Sequence, residues 1–566
     1  MTDPEHAWRT AYRHPTPWDQ PFPPQSVPAM FDAATTRFAD RPLIDFLGRI
    51  YSYAEVADGA RRVATGLAAL GYGKGDRIGL FLPNAPHYLA AHYGALRLGA
   101  TVVNFSPLYT VDELCEQVED SGARLLFTLS ATALLPTALA VLEKSALEGL
   151  IVGSVAGALP PAKSLFYRLF RGREVTKRPG DARITAFSAL IANDGALPPA
   201  IIDPAHDVAL IQYTGGTTGT PKGAMLTHAN LTANAAQVNA IDPDPDKPDR
   251  ILGALPLFHV FANTCVLNRT VAHGGQIALL PRFDAGQVLA AIARTKATAL
   301  PGVPTMYRAL LDHPKIATTD LSSLRICISG GAPLPAELKT RWEETTGSTL
   351  VEGYGLSESS GVLTANPYAA PGKPGTIGQP LPATRLKLLD KEDPTRPPPP
   401  GEPGELVAAG PQVMAGYWNR PEADVDSFAI DADGTRWLRT GDVATIDADG
   451  FVAIVDRLKD MIAVAGFKVF PSRIENILYT HPAVREALVI GVPDAYRGEA
   501  PRAYVTLADD AEIDGVTLKT WLNPQVGKHE RVDAVIVRGA MPKTMIGKLS
   551  RKDLVAEVRS AGYPTD

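Results

Sequence analysis

Cysteine is scarce in this 566-residue sequence: Cys115, Cys265 and Cys327 are the whole complement. Odd in number and far apart, they exclude a disulfide framework and fit a reducing compartment. None has a cysteine or histidine neighbour at zinc-ligand spacing, so all three read as packing residues. An excess of basic charge is missing too. The 55 lysines and arginines stand against 61 aspartates and glutamates, a formal net charge of −6, so nucleic acid is not expected as a partner. The N-terminus, Met1 to Arg9, lacks the apolar core of a signal peptide. One uncharged stretch, Leu125 to Leu142, reaches the 18 residues of a minimal membrane span. Pro136 interrupts it, and Thr128, Ser130, Thr132 and Thr137 dilute it. It reads as a buried strand followed by a short helix, and a cytoplasmic protein is expected.

What is present is ordinary globular composition, 45% hydrophobic and 20% charged. At about 100–200 residues per domain the length suggests roughly three to five folding units. The first half alternates strands and helices. Val56, Ala60, Val63, Leu67 and Leu70 recur at helical spacing before the stop at Gly71. Ile78–Leu82 and Thr101–Phe105 read as strands, and Thr110 with Glu113 matches a capping box. A helix is expected over Asp284–Lys296 and a strand near Leu324–Ile328. This alternation implies an α/β fold of parallel sheets covered by helices. From about residue 375 short strands and turns point to a small β-barrel-like subdomain. Pro397–Pro400 reads as a loop between two strands, weighed against an interdomain linker. After Arg457 the pattern is that of a compact α+β module. The expected division is 1–456 for a large N-terminal domain and 457–566 for a small, mobile C-terminal one.

The densest chemical signal is Tyr213-Thr-Gly-Gly-Thr-Thr-Gly-Thr-Pro-Lys-Gly223. Glycines that let backbone N–H groups approach closely, four threonine hydroxyls and a lysine are what phosphate oxygens need. It is not a Walker A loop, because Gly223 follows Lys222 where that motif requires Ser or Thr.

Continuing into Gly223-Ala-Met-Leu-Thr-His228, this loop resembles the phosphate loop of the adenylate-forming acyl-CoA synthetases, which include firefly luciferase and peptide-synthetase adenylation domains. Further segments match in the family's order: Leu255-Pro-Leu-Phe-His-Val-Phe261, Ser329-Gly-Gly-Ala-Pro333, Glu352-Gly-Tyr-Gly-Leu-Ser-Glu358, Thr440-Gly-Asp442, Asp456-Arg-Leu-Lys-Asp460 and Pro542-Lys-Thr-Met-Ile-Gly-Lys548. The likeness covers about residues 30 to 560. It implies ATP and coenzyme A as substrates and Mg2+ as cofactor.

By this resemblance Thr214, Gly215, Gly216, Thr217, Thr218, Gly219 and Lys222 hold phosphate, with Thr214 also in a catalytic role. His259 belongs to the gate segment. Gly331, Ala332 and Pro333, with Gly353, Tyr354 and Gly355, frame the adenine; for Tyr354 alone, core packing is the alternative. Glu358 would bind Mg2+, a hard cation suited to carboxylate oxygen. Ser357 stands where the family usually has threonine, retaining the hydroxyl without the methyl. Asp442 resembles the carboxylate that accepts the ribose hydroxyls, with Arg457 on the same nucleotide. Lys548 would stabilise charge during adenylation, Lys459 is the expected hinge, and Gly466 would line the pantetheine channel. Ala463 stands where luciferase-like members carry lysine; the apolar version resembles the bacterial long-chain branch.

The expected reaction is ligation of a long- to medium-chain fatty acid to coenzyme A through an acyl-adenylate. A dicarboxylic or aryl acid, or stand-alone loading of a carrier protein, stays open. A serine hydrolase on Gly355-Leu-Ser357-Glu-Ser359 fails, since the nucleophile elbow needs glycine where Ser359 stands. Residues 163–178 hold six basic residues against one acid, interleaved with Leu165, Phe166, Tyr167, Leu169 and Phe170. That suits peripheral contact with the inner face of a membrane; a solvated face packing its aromatics on the protein's own core is the alternative. A homodimer completes the partner expectations.

Overall fold

Ser52 and Thr110 each close a capping box, opening the helices Tyr53–Ala69 and Val111–Ser121, and Asp284 caps Ala285–Thr295. These local signals set where helices begin between the strands of two large sheets. The computed structural model describes residues 4–170, 174–214, 221–465, 467–508, 511–544 and 548–562. Within them the first sheet has eight strands, ordered Gly416–Tyr417, Lys222–Thr227, Val208–Thr214, Thr101–Asn104, Arg77–Leu80, Leu125–Leu129, Gly149–Gly153 and Ile184–Ala186. From Val208–Thr214 onward neighbouring strands are parallel; the two before it are antiparallel.

The second sheet has nine strands, with a parallel centre of Thr349–Tyr354, Ile326–Ser329, Ala299–Gly302, Arg250–Gly253, Gln276–Leu279 and Pro42–Phe46. One contiguous apolar core runs through both sheets. Buried on both faces, their strands read as near-continuous apolar runs rather than as alternation. A buried ionic network braces the second sheet. Arg325 donates to Asp242 at 2.6 and 2.7 Å and to Asp249 at 2.9 and 3.0 Å. Arg269 reaches the same two carboxylates at 2.6 and 2.8 Å.

A five-stranded antiparallel sheet follows, built on Arg385–Leu389, Gly404–Ala409 and Arg436–Ile446, with Phe428–Ile430 and Val452–Arg457 beside the last. Pro397–Pro400 lies in the connection between its first two strands and is a loop, not an interdomain linker. The smaller C-terminal domain carries its own five-stranded sheet, on which Val535–Val537 runs parallel to Gly498–Leu507, and two cores of its own. Pro136 sits in the first turn of helix Leu135–Lys144, where its missing N–H costs nothing. No described helix is long and apolar enough to cross a membrane. Cys265 and Cys327 are buried and Cys115 half-buried, all as free thiols.

Candidate active site

The chain leaves the eight-stranded sheet at Thr214 and re-enters it at Lys222, directly opposite. Gly215, Gly216, Thr217, Thr218 and Gly219 lie outside the described residues; their flanks do not. Lys222 Nζ sits 4.9 Å from the centre of the Tyr417 ring. The Tyr417 hydroxyl donates to Glu358 Oε1 at 2.7 Å. A lysine, a phenol and a carboxylate are thus gathered where the strand ends meet. Tyr417 is placed by its short strand, paired with Lys222–Thr227. Glu358 is placed by the turn Ser357–Ser359, which also holds Ser357, and its carbonyl accepts the Met414 N–H at 2.8 Å. Thr264 Oγ1 ties this turn to the gate segment by donating to the Ser360 carbonyl at 2.5 Å.

Asp442 anchors a second cluster. It is buried, and its strand sets it directly opposite Arg457. Arg457 Nε donates to Oδ1 at 2.9 Å and the Tyr354 hydroxyl to Oδ2 at 2.5 Å. Tyr354 ends the strand Thr349–Tyr354 and packs with Ile377, Leu406, Ala444 and Val452, so its ring has a core role as well as a place in the site. A Cβ on Gly355 would stand 2.2 Å from the Gly361 carbonyl oxygen, so only glycine lets the chain pass. Gly331, with φ of +77°, turns the chain into Ala332 and Pro333. Next to them the Leu334 N–H donates to Glu352 Oε1 at 3.1 Å, joining this turn to the Gly353–Gly355 segment. Burial pushes the Glu352 carboxyl up to about 8, against the Leu334 N–H.

Lys548 comes from the C-terminal domain yet faces the residues of the large one. Burial first, then the neighbouring Arg457, brings its ammonium down to about 8, while Asp442 and Asp460 pull the other way. Burial, and secondarily the Lys548 charge, lowers His259 to about 4, so its imidazole is neutral at pH 7. Its Nδ1 accepts the Phe261 N–H at 3.3 Å. Lys548 therefore stands in electrostatic contact with both Asp442 and His259. Its turn is held by Thr544, whose hydroxyl oxygen accepts the Lys548 N–H at 3.2 Å. Arg551 pairs with Asp460 and, at 2.5 Å, with Glu475, fixing this turn to the residue after Lys459. Lys459 is exposed. Gly466 lies outside the described residues. A small apolar cavity lined by Leu255, Pro256, His259, Phe261, Ala262 and Val303 opens beside His259.

Among the described residues no three His, Cys, Asp or Glu side chains group as a metal cage. The lone Glu358 carboxylate fits Mg2+, which is commonly held by one or two carboxylates together with substrate phosphates. Tyr417 and Arg551 were not singled out in the sequence, and Glu352 only as the opening residue of its motif. The side chains of Tyr417, Glu352 and Arg551 find partners 59, 18 and 62 or more positions away, which local context does not foretell.

Residues 31–418 match the AMP-binding enzyme family, and residues 473–548 match its C-terminal domain. The chain belongs to that family, the AMP-forming acyl-CoA ligases. This AMP-binding enzyme is 38% identical over 554 residues to a long-chain-fatty-acid–CoA ligase of Bacillus subtilis (strain 168), covering 97% of this chain and 98% of the relative. It is also 38% identical over 508 residues to a feruloyl-CoA synthase of Amycolatopsis sp, covering 90% and 94%. Among solved structures, ATP-bound MatB from Rhodopseudomonas palustris superposes with a TM-score of 0.82 at 30% identity, covering 95% of this chain and 100% of that one. Apo MatB, with the same identity and coverage, superposes less well, at 0.72.

Proposed function

We propose that this AMP-forming ligase joins a long- to medium-chain fatty acid to coenzyme A. In the first step a carboxylate oxygen of the acid attacks the α-phosphorus of ATP, and the bond to pyrophosphate breaks. In the second the coenzyme A thiol, losing its proton, attacks the acyl carbon and AMP leaves. The observation that carries the first step is the meeting of Lys548, Asp442 and His259 across the two domains. Asp442, oriented by Tyr354 and Arg457, accepts the ribose hydroxyls. Thr214, the loop that follows it and Lys222 hold phosphate. Lys548 meets the negative charge that grows on the phosphate oxygens in the transition state, where a fixed, desolvated cation counts most. Neutral His259 borders the acid without repelling Lys548. Glu358, fixed by Tyr417, would hold Mg2+, which neutralises phosphate charge when bound.

Residues 1–456 and 457–566 act in this reading as two bodies, with Lys459 the hinge and Gly466 lining the pantetheine path in the second step. The better superposition on ATP-bound than on apo MatB supports an orientation suited to adenylation. The likeness to the Bacillus ligase supports the fatty acid, and the feruloyl-CoA synthase supports an aryl acid as the second reading. Apolar pockets discriminate by only about 1–3 kcal/mol per methylene, so a broad chain-length preference follows. The test is acid-dependent ATP–pyrophosphate exchange across monoacids of graded length, dicarboxylates and aryl acids. Highest kcat/KM on long or medium monoacids is expected; exclusive use of ferulate-like or dicarboxylic acids would overturn it.

A further inference from the structure

Helix Pro161–Phe170 is amphipathic in an inverted sense, with its large apolar side chains on the outside. Leu165, Phe166, Leu169 and Phe170 are 60%, 57%, 67% and 69% exposed. Their spacing of one and four residues puts them on one face. The Phe166 and Phe170 rings touch each other, with centres 4.7 Å apart. The other side of the helix is anchored. Tyr167 packs against the main core, and Lys163 Nζ donates to the Leu47 carbonyl at 2.8 Å. Beside the turn that leads into the helix runs the strand Arg49–Ser52. Arg49 donates to the Gly157 carbonyl at 2.6 Å and Tyr51 to that of Ala158 at 2.9 Å, and Ile50 between them is 48% exposed. Of the two readings left open by the sequence, aromatics turned inward holds for Tyr167 alone; Leu165, Phe166, Leu169 and Phe170 stay more than half exposed.

We propose that this face docks on an anionic lipid bilayer. Charge selects the occupant. In a chain of net charge −6, residues 163–178 hold six lysines and arginines against Glu174 alone. Lys177 and Arg178 are exposed on the segment that returns from the helix. Exposed apolar side chains in a segment rich in basic residues are the pattern of an element lying in the headgroup region, its rings among the acyl chains and its cations at the phosphates. A second copy of the chain fits poorly. An isologous contact would set each basic segment against its own image, like charge upon like. None of the residues assigned to the two reaction steps belongs to this helix, and docking would bring the enzyme to the phase where long-chain acids dissolve.

The experiment is sedimentation of the full-length protein with vesicles of phosphatidylglycerol and phosphatidylcholine, against vesicles of phosphatidylcholine alone. Binding to the anionic vesicles is expected, at least about tenfold tighter than to the neutral ones and weakened by salt. Phe166→Ser with Phe170→Ser, and separately Lys177→Glu, should each weaken it at least about threefold, an effect set by their apolar and charge contributions. Pyrophosphate exchange on a short, soluble acid should be unchanged and certifies folding. Should the paired variant fail to fold, amide exchange of the wild type is read instead, with anionic vesicles expected to slow the amides of 161–170. No binding by the wild type overturns the proposal, as does equal binding by both variants. So does a dimer that the serine variants dissociate without change in vesicle binding, which would assign the face to a second copy.

Discussion

In the proposed reaction much of the chemistry rests on one atom, the Lys548 ammonium nitrogen. The ammonium is desolvated and lies beside Arg457, so the charge it must carry is held only below about pH 8. A depressed ammonium is protonated below its shifted value and neutral above it. Because kcat/KM reports the free enzyme, pyrophosphate exchange measured as kcat/KM for ATP should fall about tenfold per pH unit above pH 8. Lys548→Arg should abolish that limb whatever activity it retains, since a guanidinium stays charged. A flat profile to pH 9.5 in the wild type would contradict this role. At this scale the sequence was readable where residues come in strings: Glu352-Gly-Tyr-Gly-Leu-Ser-Glu358 and Thr440-Gly-Asp442 name their own positions. Tyr417 was not readable, because its meaning lies in a hydroxyl 2.7 Å from Glu358 and in the Lys222 ammonium over its ring. For Glu352 the position was readable from its motif, but not the raised pKa, which comes from burial.

Elements were legible where local chemistry decides them. The capping boxes at Ser52 and Thr110 fix helix starts through bonds within three residues, and apolar runs such as Leu125–Leu129 become fully buried parallel strands. The π-helix Asn263–Asn268 was not legible, since only packing distinguishes it from an ordinary helix; such turns often mark functional segments, and this one begins four residues after His259. Nor did spacing foretell the network that joins Asp242 and Asp249 of one connection to Arg269 and Arg325 of two other segments. These charges are nearly all hidden from water, so removing one partner leaves carboxylates under-compensated. Arg325→Met should therefore cost about 3 kcal/mol of stability. Urea unfolding of the wild type and variant measures it, and the double variant Arg325→Met, Asp242→Asn should lose less than the two single changes together. A loss under about 1 kcal/mol would mean that Arg269 alone satisfies both carboxylates.

On the scale of the whole molecule the chain has one site and two reactions, and the conflict between them is spatial. A site closed around ATP leaves no path for a long pantetheine arm. The structure holds Lys548 against the large domain; in the reading proposed above that arrangement serves the first reaction, and the second takes the C-terminal domain turned about Lys459 to bring Gly466 forward. The measurement that bears most directly on this is single-turnover kinetics of Lys548→Ala, with the half-reactions followed separately. Acyl-AMP formation should slow at least about 100-fold, the usual scale for losing one preorganised charge contact. Conversion of supplied acyl-AMP and coenzyme A to the thioester should stay within about threefold of the wild type, well short of that loss. Equal damage to both half-reactions would contradict the account, because a single fixed arrangement would then serve them both.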